Sequence, residues 1–352
     1  MGLKDFFRNL ASSPAELPVF FRIPNENIDI GADLKGQFEP NQHYFTVKVN
    51  EMFLSERRRW FREIEPMVVC LSSYIYGEQE IDNPFIVGRN LIKNKVQNIP
   101  EGMLFSDTRV AGIHPYSGGR VVVSMVLCES LTQNHLSNSL DFIEKVASVF
   151  SENIASLVSS YLKIANVVLG AIDTLLDTKS LKPILGFRQE FDRDANDQFA
   201  PGYHVIIDKS TKNWNPKHFF VIGNRLYYGS SQNVAKVFRE DEYVMFSLTR
   251  SETRSDIRLL PVWQSYQKIL NELKVTEVSA DHKERIKKML TVLSIEMRQS
   301  PDLTQAHAKK LILDFADEVK SLIKPKFNLG ANHTNTESEE FWDMINSKIA
   351  AI

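Results

Sequence analysis

The chain reads as α+β: an antiparallel β-sandwich-like body, one long central hydrophobic helix and a C-terminal helical region. Three observations carry that reading. Short apolar runs bounded by Gly, Pro and Asn recur from residue 43 to 128 and again from 184 to 248, the spacing of strands. Between them, residues 140–176 keep apolar side chains on one helical face for about ten turns. From Leu260 onward the apolar period is that of helices, with Ser279, Ser300 and Thr336 as caps.

Residues 1–14 are the first expected element. Leu3, Phe6, Phe7 and Leu10 share one face of a short amphipathic helix that Pro14 ends. Lys4, Asp5 and Arg8 interrupt the apolar stretch, so it is not a signal peptide. Phe6 stands where a myristoylation signal needs Ser or Thr. A cytoplasmic location is expected.

Residues 15–135 form a β-rich region. Its first part, to Pro40, is punctuated by Pro18, Pro24, Gly31 and Gly36 and reads as irregular. In residues 43–49, Tyr44, Thr46 and Lys48 alternate with Phe45, Val47 and Val49, as in a strand with one face buried. A longer β run from Pro66 ends at Gly77, and Pro84–Gly88 is a short one. The runs 108–113 and 120–128 flank Pro115-Tyr-Ser-Gly-Gly119 and read as a hairpin, with His114 exposed beside its turn. Cys70 and Cys128 lie in apolar runs and read as buried thiols, able to pair only if their strands are neighbours.

The central helix is expected over 137–178. Ser137 and Ser139 can cap it, and Asp141 and Glu144 suit the positive end of its dipole. Ile154, Leu157, Tyr161, Ile164, Val168 and Ile172 step by three or four, and between Asn153 and Ile172 Lys163 is the sole charge. Such a segment is a core helix by default. It could also be stowed in the fold and released into a bilayer or a bundle of copies, with Ala155, Ser159, Ala165 and Gly170 allowing close approach. Ser156, Lys163 and Asn166 dilute its hydropathy too much for a permanent span.

A second β-rich region, 180–250, either completes the first sheet system or forms its own; Gly223-Asn224 marks a turn within it. Helices fill 258–324: one over 262–274, one from Ser279 to Arg298, and one opened by Ser300-Pro301-Asp302 that runs to Ile323. A polar linker, 325–335, leads to a terminal helix, 336–352. Thr336-Glu-Ser-Glu339 is its capping box, and Phe341, Met344, Ile345 and Ile349 share a face.

Composition narrows the function. Of 352 residues, 43% are hydrophobic and 24% charged, an ordinary globular balance, with 22 Phe to fill cores. The net charge of −2 offers no basic excess to attract nucleic acid. The run Arg57-Arg-Arg-Trp-Phe-Arg62 mixes cations with aromatics, but Glu56, Glu63 and Glu65 surround it and favour local pairing. No nucleotide-binding glycine loop or nucleophile elbow is present.

Candidate chemistry is sparse. Asp192-Arg-Asp194-Ala-Asn196-Asp197 begins like a calcium loop, but Asp197 replaces its turn glycine and Tyr203 its closing glutamate. His204 and Asp208 share a strand face, and His218 could approach them across a hairpin to make an acid–base or metal site. No cofactor is implied.

The expected function is a non-enzymatic interaction or assembly module, an adaptor or scaffold, whose partners are other proteins or copies of itself. Leu3, Phe6, Phe7 and Leu10 at one end and Phe341, Ile345 and Ile349 at the other are the expected anchors. The alternatives are a switchable, pore-forming-like membrane effector using the 140–176 helix, and a hydrolase or metal enzyme around His204, Asp208 and His218.

Overall fold

The computed structural model describes residues 18–29, 34–54, 64–88, 103–131, 181–193, 199–208, 213–274 and 280–327. The N-terminal helix with Leu3, Phe6, Phe7 and Leu10 lies outside them. So do the central helix with Ile154, Leu157, Tyr161, Ile164, Val168 and Ile172, the Arg57–Arg62 run, and the terminal helix with Phe341, Ile345 and Ile349. The described residues are α+β, with three sheets, mostly antiparallel, and three α-helices. The chain divides into two units, residues 1–39 with 44–251, and 40–43 with 252–352.

The first unit holds the strands. They are β1 (Val19–Arg22), β2 (Ile28–Asp29), β3 (Tyr44–Phe53), β4 (Ile64–Tyr76), β5 (Gln79–Gly88), β6 (Met103–Pro115), β7 (Val121–Leu131), β8 (Leu181–Phe191), β9 (Gly202–Ile207), β10 (Phe219–Ile222), β11 (Arg225–Tyr228), β12 (Lys236–Val237) and β13 (Tyr243–Ser251). A five-stranded sheet runs β1-β9-β13-β3-β6. A second runs β5-β4-β7-β8, and a small one β12-β11-β10-β2. The pairings are antiparallel except β10 with β2. Each of the three sheets contains strands from both before and after residues 137–178.

The five-stranded sheet contributes to two cores. Val47, Val49, Ile206 and Phe246 join Val68, Cys70, Val123 and Leu127 of β4 and β7 in one cluster. Val205, Ile207 and Met245 join Phe219, Val221 and Leu226 of the small sheet in the other. The one-faced reading of residues 43–49 is corrected as well. Tyr44 and Thr46 are buried along with Phe45, Val47 and Val49. Strand alternation reports facing, and it equals exposure only when one face meets water.

The hairpin expected across Ser117-Gly-Gly119 is not formed. β6 pairs with β3, whereas β7 pairs with β4 and β8. The glycine turn therefore carries the chain from one sheet to another. Gly118 and Gly119 have φ of 101° and 75°, which bend the chain without demanding that the flanking strands pair. Elsewhere the turn signals do mark hairpins. β4 and β5 meet across Gly77, and β10 and β11 across Gly223-Asn224, with φ of 56° and 64°.

The second unit is helical: α1 (Pro261–Glu272), α2 (Ala280–Gln299) and α3 (Gln305–Phe327). Val262, Tyr266 and Ile269 of α1, Ile286, Leu290, Leu293 and Met297 of α2, and Leu311, Phe315 and Val319 of α3 are buried at the three-to-four spacing that sets helix faces. Tyr266 stacks on Phe315 with ring centroids 3.7 Å apart. The third helix starts later than Ser300-Pro301-Asp302 suggests. Arg254 donates to the Asp302 carbonyl at 2.6 Å and stands 3.6 Å from its carboxylate, which holds residues 300–303 as a turn. Thr304 is the cap, its hydroxyl accepting the His307 N–H at 3.1 Å. The helix then continues through Pro325, so the expected linker begins inside it.

Candidate functional site

The structure does not bring His204, Asp208 and His218 together. His204 and Ile206 point from β9 toward β8, whereas Tyr203, Val205 and Ile207 point toward the small sheet. His218 ends the turn before β10 on that second side, half-buried, with its ring 5.9 Å from Tyr228. A sheet therefore separates the two imidazoles. Asp208 closes β9, where its N–H donates to the Glu242 carbonyl at 2.8 Å.

His204 sits in an aromatic cage. Phe20 and Phe246 stack on it at 5.6 and 5.1 Å, and Phe191 meets it edge-on at 5.3 Å. Among the described residues, neither ring nitrogen has a hydrogen-bond partner. Burial, with the Arg22 guanidinium nearby, pushes its pKa down to about 3. The ring is neutral and cannot act as a solvent-facing acid or base.

His114 is buried rather than exposed. Its Nε2 meets the Tyr74 hydroxyl, and Phe45 and Tyr76 crowd the ring. The strand that carries it runs on to Pro115, so the turn starts after the imidazole.

A second electrostatic perturbation lies at a residue outside the expected site, Glu51. It is fully buried on the face toward the small sheet. Its Oε2 accepts the Leu226 N–H of β11 at 2.6 Å, and its Oε1 lies 4.0 Å from Arg225 Nε. Burial pushes the carboxyl up to about 7, against the pull of Leu226, the Tyr243 hydroxyl, Arg225 and Arg239. Tyr243, itself buried, is raised by desolvation and by the facing carboxylate.

A bulge puts Glu51 there. β13 pairs Phe246 with Val49 and Met245 with Glu51, leaving Asn50 as the extra residue. Val49 and Met52 therefore face one core and Glu51 and Phe53 the other side. Strict alternation would have sent Asn50 to the small sheet instead. This carboxylate can hold a proton and clamp β11 onto β3.

Cys70 and Cys128 are free, on neighbouring strands but out of register, Cys70 opposite Met125 and Cys128 opposite Met67. Burial raises both thiols to about 12, leaving them poor nucleophiles. Of the calcium-like run, Asp194, Asn196 and Asp197 lie outside the described residues, and Tyr203 is in β9, its hydroxyl donating to Asn224 at 3.2 Å. Among the described residues no group of three His, Cys, Asp or Glu could hold a metal ion, and no helix is long and apolar enough to cross a membrane.

The helical unit offers a surface instead. Val292 and Ile295 are 54% and 48% exposed. On an α-helix they lie roughly 160° around from the buried stripe of Ile286, Leu290, Leu293 and Met297. Leu259, Leu313 and Leu322 of the same unit are also exposed. Neither a protein-family model nor a curated protein matches this chain.

Proposed function

We propose that the protein is a non-enzymatic interaction module, an adaptor, scaffold or assembly component, that binds other proteins or copies of itself through amphipathic helices. The observation that carries this reading is the outer face of α2, where Val292 and Ile295 stand in water opposite the helix's own core stripe. An aliphatic pair one turn apart on an outer helix face is a natural anchor for a groove or a second helix. The segment 336–352, with Phe341, Ile345 and Ile349, follows in the chain and supplies a further apolar face of the same kind. The β-rich unit is read as a sandwich-like body. A cytoplasmic setting belongs to the reading, and the free, buried Cys70 and Cys128 support it.

Two variants test it: removal of residues 336–352, and the pair Val292→Glu with Ile295→Lys. Both are expected to keep the helical and strand signals of circular dichroism. Both are expected to lower the solution mass measured by light scattering, or to lose a partner that the intact chain retains in pull-down. Unchanged mass and unchanged pull-down in both variants would dispose of the reading.

A further inference from the structure

Three observations meet at His204. The ring lies wholly inside the core, yet neither nitrogen has a polar partner among the described residues. Leaving buried polar groups unpaired destabilises a fold, and a ring of carbon alone would fill the same cage. One wall of the cage is weak. Phe20 belongs to β1, a strand of four residues that, among the described residues, pairs with β9 alone and so lies at the edge of its sheet. The other walls are firmer. Phe246 is on β13, paired on both sides by β9 and β3, and Phe191 is on β8, which pairs along its length with β7. The third observation is a charge. Arg22 stands directly opposite His204 in the β1–β9 register, its guanidinium donating to the Pro201 carbonyl at 2.7 Å and to Asn25 at 3.1 Å.

We propose that His204 is the trigger of an acid-opened latch: a proton on its ring, placed among Phe20, Phe191 and Phe246 and beside Arg22, drives β1 off the edge of the five-stranded sheet. The groups around the ring leave a proton little alternative. From β1 the charged group is Arg22, a like charge. From β13 and β8 the facing groups are the Phe246 and Phe191 rings. Arg188 and Glu190 of β8 pair with each other at 2.9 Å with exposed side chains. With no facing carboxylate in this set, the imidazolium is relieved by water, and water enters where the wall is thinnest. Departure of β1 removes Phe20 and carries Arg22 away, so it hydrates the new charge and ends the repulsion in one movement. The product is a protein whose β-rich unit keeps its core while Val19–Arg22 is freed and the outer edge of β9 is left open to pairing.

Hydrogen exchange on the full chain tests the latch. Amide protection, corrected for the intrinsic pH dependence of exchange, is measured for Val19–Arg22 and for Tyr243–Leu248 from pH 7.5 to 4.5. The β1 amides are expected to lose protection about tenfold per pH unit below pH 6.5 while the β13 amides stay protected. His204→Phe should flatten the β1 response. Glu51→Gln, which removes a second buried group shifted into this range, should leave it intact. Protection at β1 that ignores pH, a response that survives in His204→Phe, or simultaneous loss at β1 and β13 would each overturn the latch. Should His204→Phe fail to fold, the ring protons of His204 in the native chain provide a second readout. They are expected to shift together with the loss of β1 protection, and a ring that titrates while β1 stays protected refutes the proposal.

Discussion

Two of the buried titratable side chains in the first unit, Glu51 and His204, are defined by what surrounds them. Glu51 is an acceptor shared between two sheets, whereas the His204 ring has no hydrogen-bond partner among the described residues. Glu51 has the clearer mutational consequence. Glu51→Ala leaves the Leu226 N–H without its acceptor and opens space at the Tyr243 hydroxyl. A loss of roughly 2–3 kcal/mol is expected at pH 6, measured by urea denaturation. Glu51→Gln keeps an acceptor for Leu226 and should lose much less. Equal losses in the two variants would mean that the hydrogen bond to β11 is not what the residue contributes. Glu51 was not legible beforehand because the sequence reading ended its strand at Val49. Nothing local announces that Asn50 is a bulge.

Among the elements, glycines show where the chain is forced and where it is merely permitted. Gly112 has φ of 97°, and an added Cβ would stand 2.5 Å from the Phe45 carbonyl oxygen on β3. Both the left-handed backbone and the contact oppose a side chain. Gly112→Ala should therefore destabilise by about 2 kcal/mol or more. Gly223 also has positive φ, 56°, but nothing lies within 4 Å of its Cβ position. Gly223→Asn, a residue that tolerates this conformation, should change stability by less than about 1 kcal/mol. Comparable midpoints of thermal unfolding for the two variants would contradict the distinction. The turn at Gly223-Asn224 was readable in sequence because its signal is local. The crossing at Ser117-Gly-Gly119 carried the same kind of signal, and partner choice, a long-range matter, decided against a hairpin.

Across the molecule, the two buried groups give stability a pH profile with opposed slopes. The Glu51 pKa rises from 4.5 to about 7 on folding, so the native state holds the extra proton and this stabilisation is present below pH 4.5 and lost as pH rises through 7. The His204 pKa falls from 6.5 to about 3, so its stabilisation is present above pH 6.5 and lost as pH falls toward 3. Between about pH 4.5 and 6.5 the two slopes, each about 1.4 kcal/mol per pH unit, nearly cancel. Relative to the parent, Glu51→Gln should therefore lose stability progressively as pH drops from 7 to 4.5. His204→Phe should gain it from 6.5 down to about 3. Denaturation midpoints of the three proteins across pH 4–8 check this, and parallel curves would mean that neither group is linked to folding.

What the linear sequence settled was periodicity and punctuation. It marked β4, β7, β9 and β13 as apolar strands, the stretch from Pro261 to Ile323 as helical, both cysteines as buried and Gly223-Asn224 as a turn, because each of these depends on side chains a few residues apart. It read α1 and α2 to within a few residues for the same reason. Three-dimensional packing settled which faces meet. It covered the five-stranded sheet on both sides, put His204 and His218 on opposite sides of it, moved the start of α3 to Gln305 through an ion pair with the distant Arg254, and used one bulge to turn Glu51 inward. Such outcomes depend on contacts between residues far apart in the chain, and the free energy of those contacts is absent from any local window of sequence.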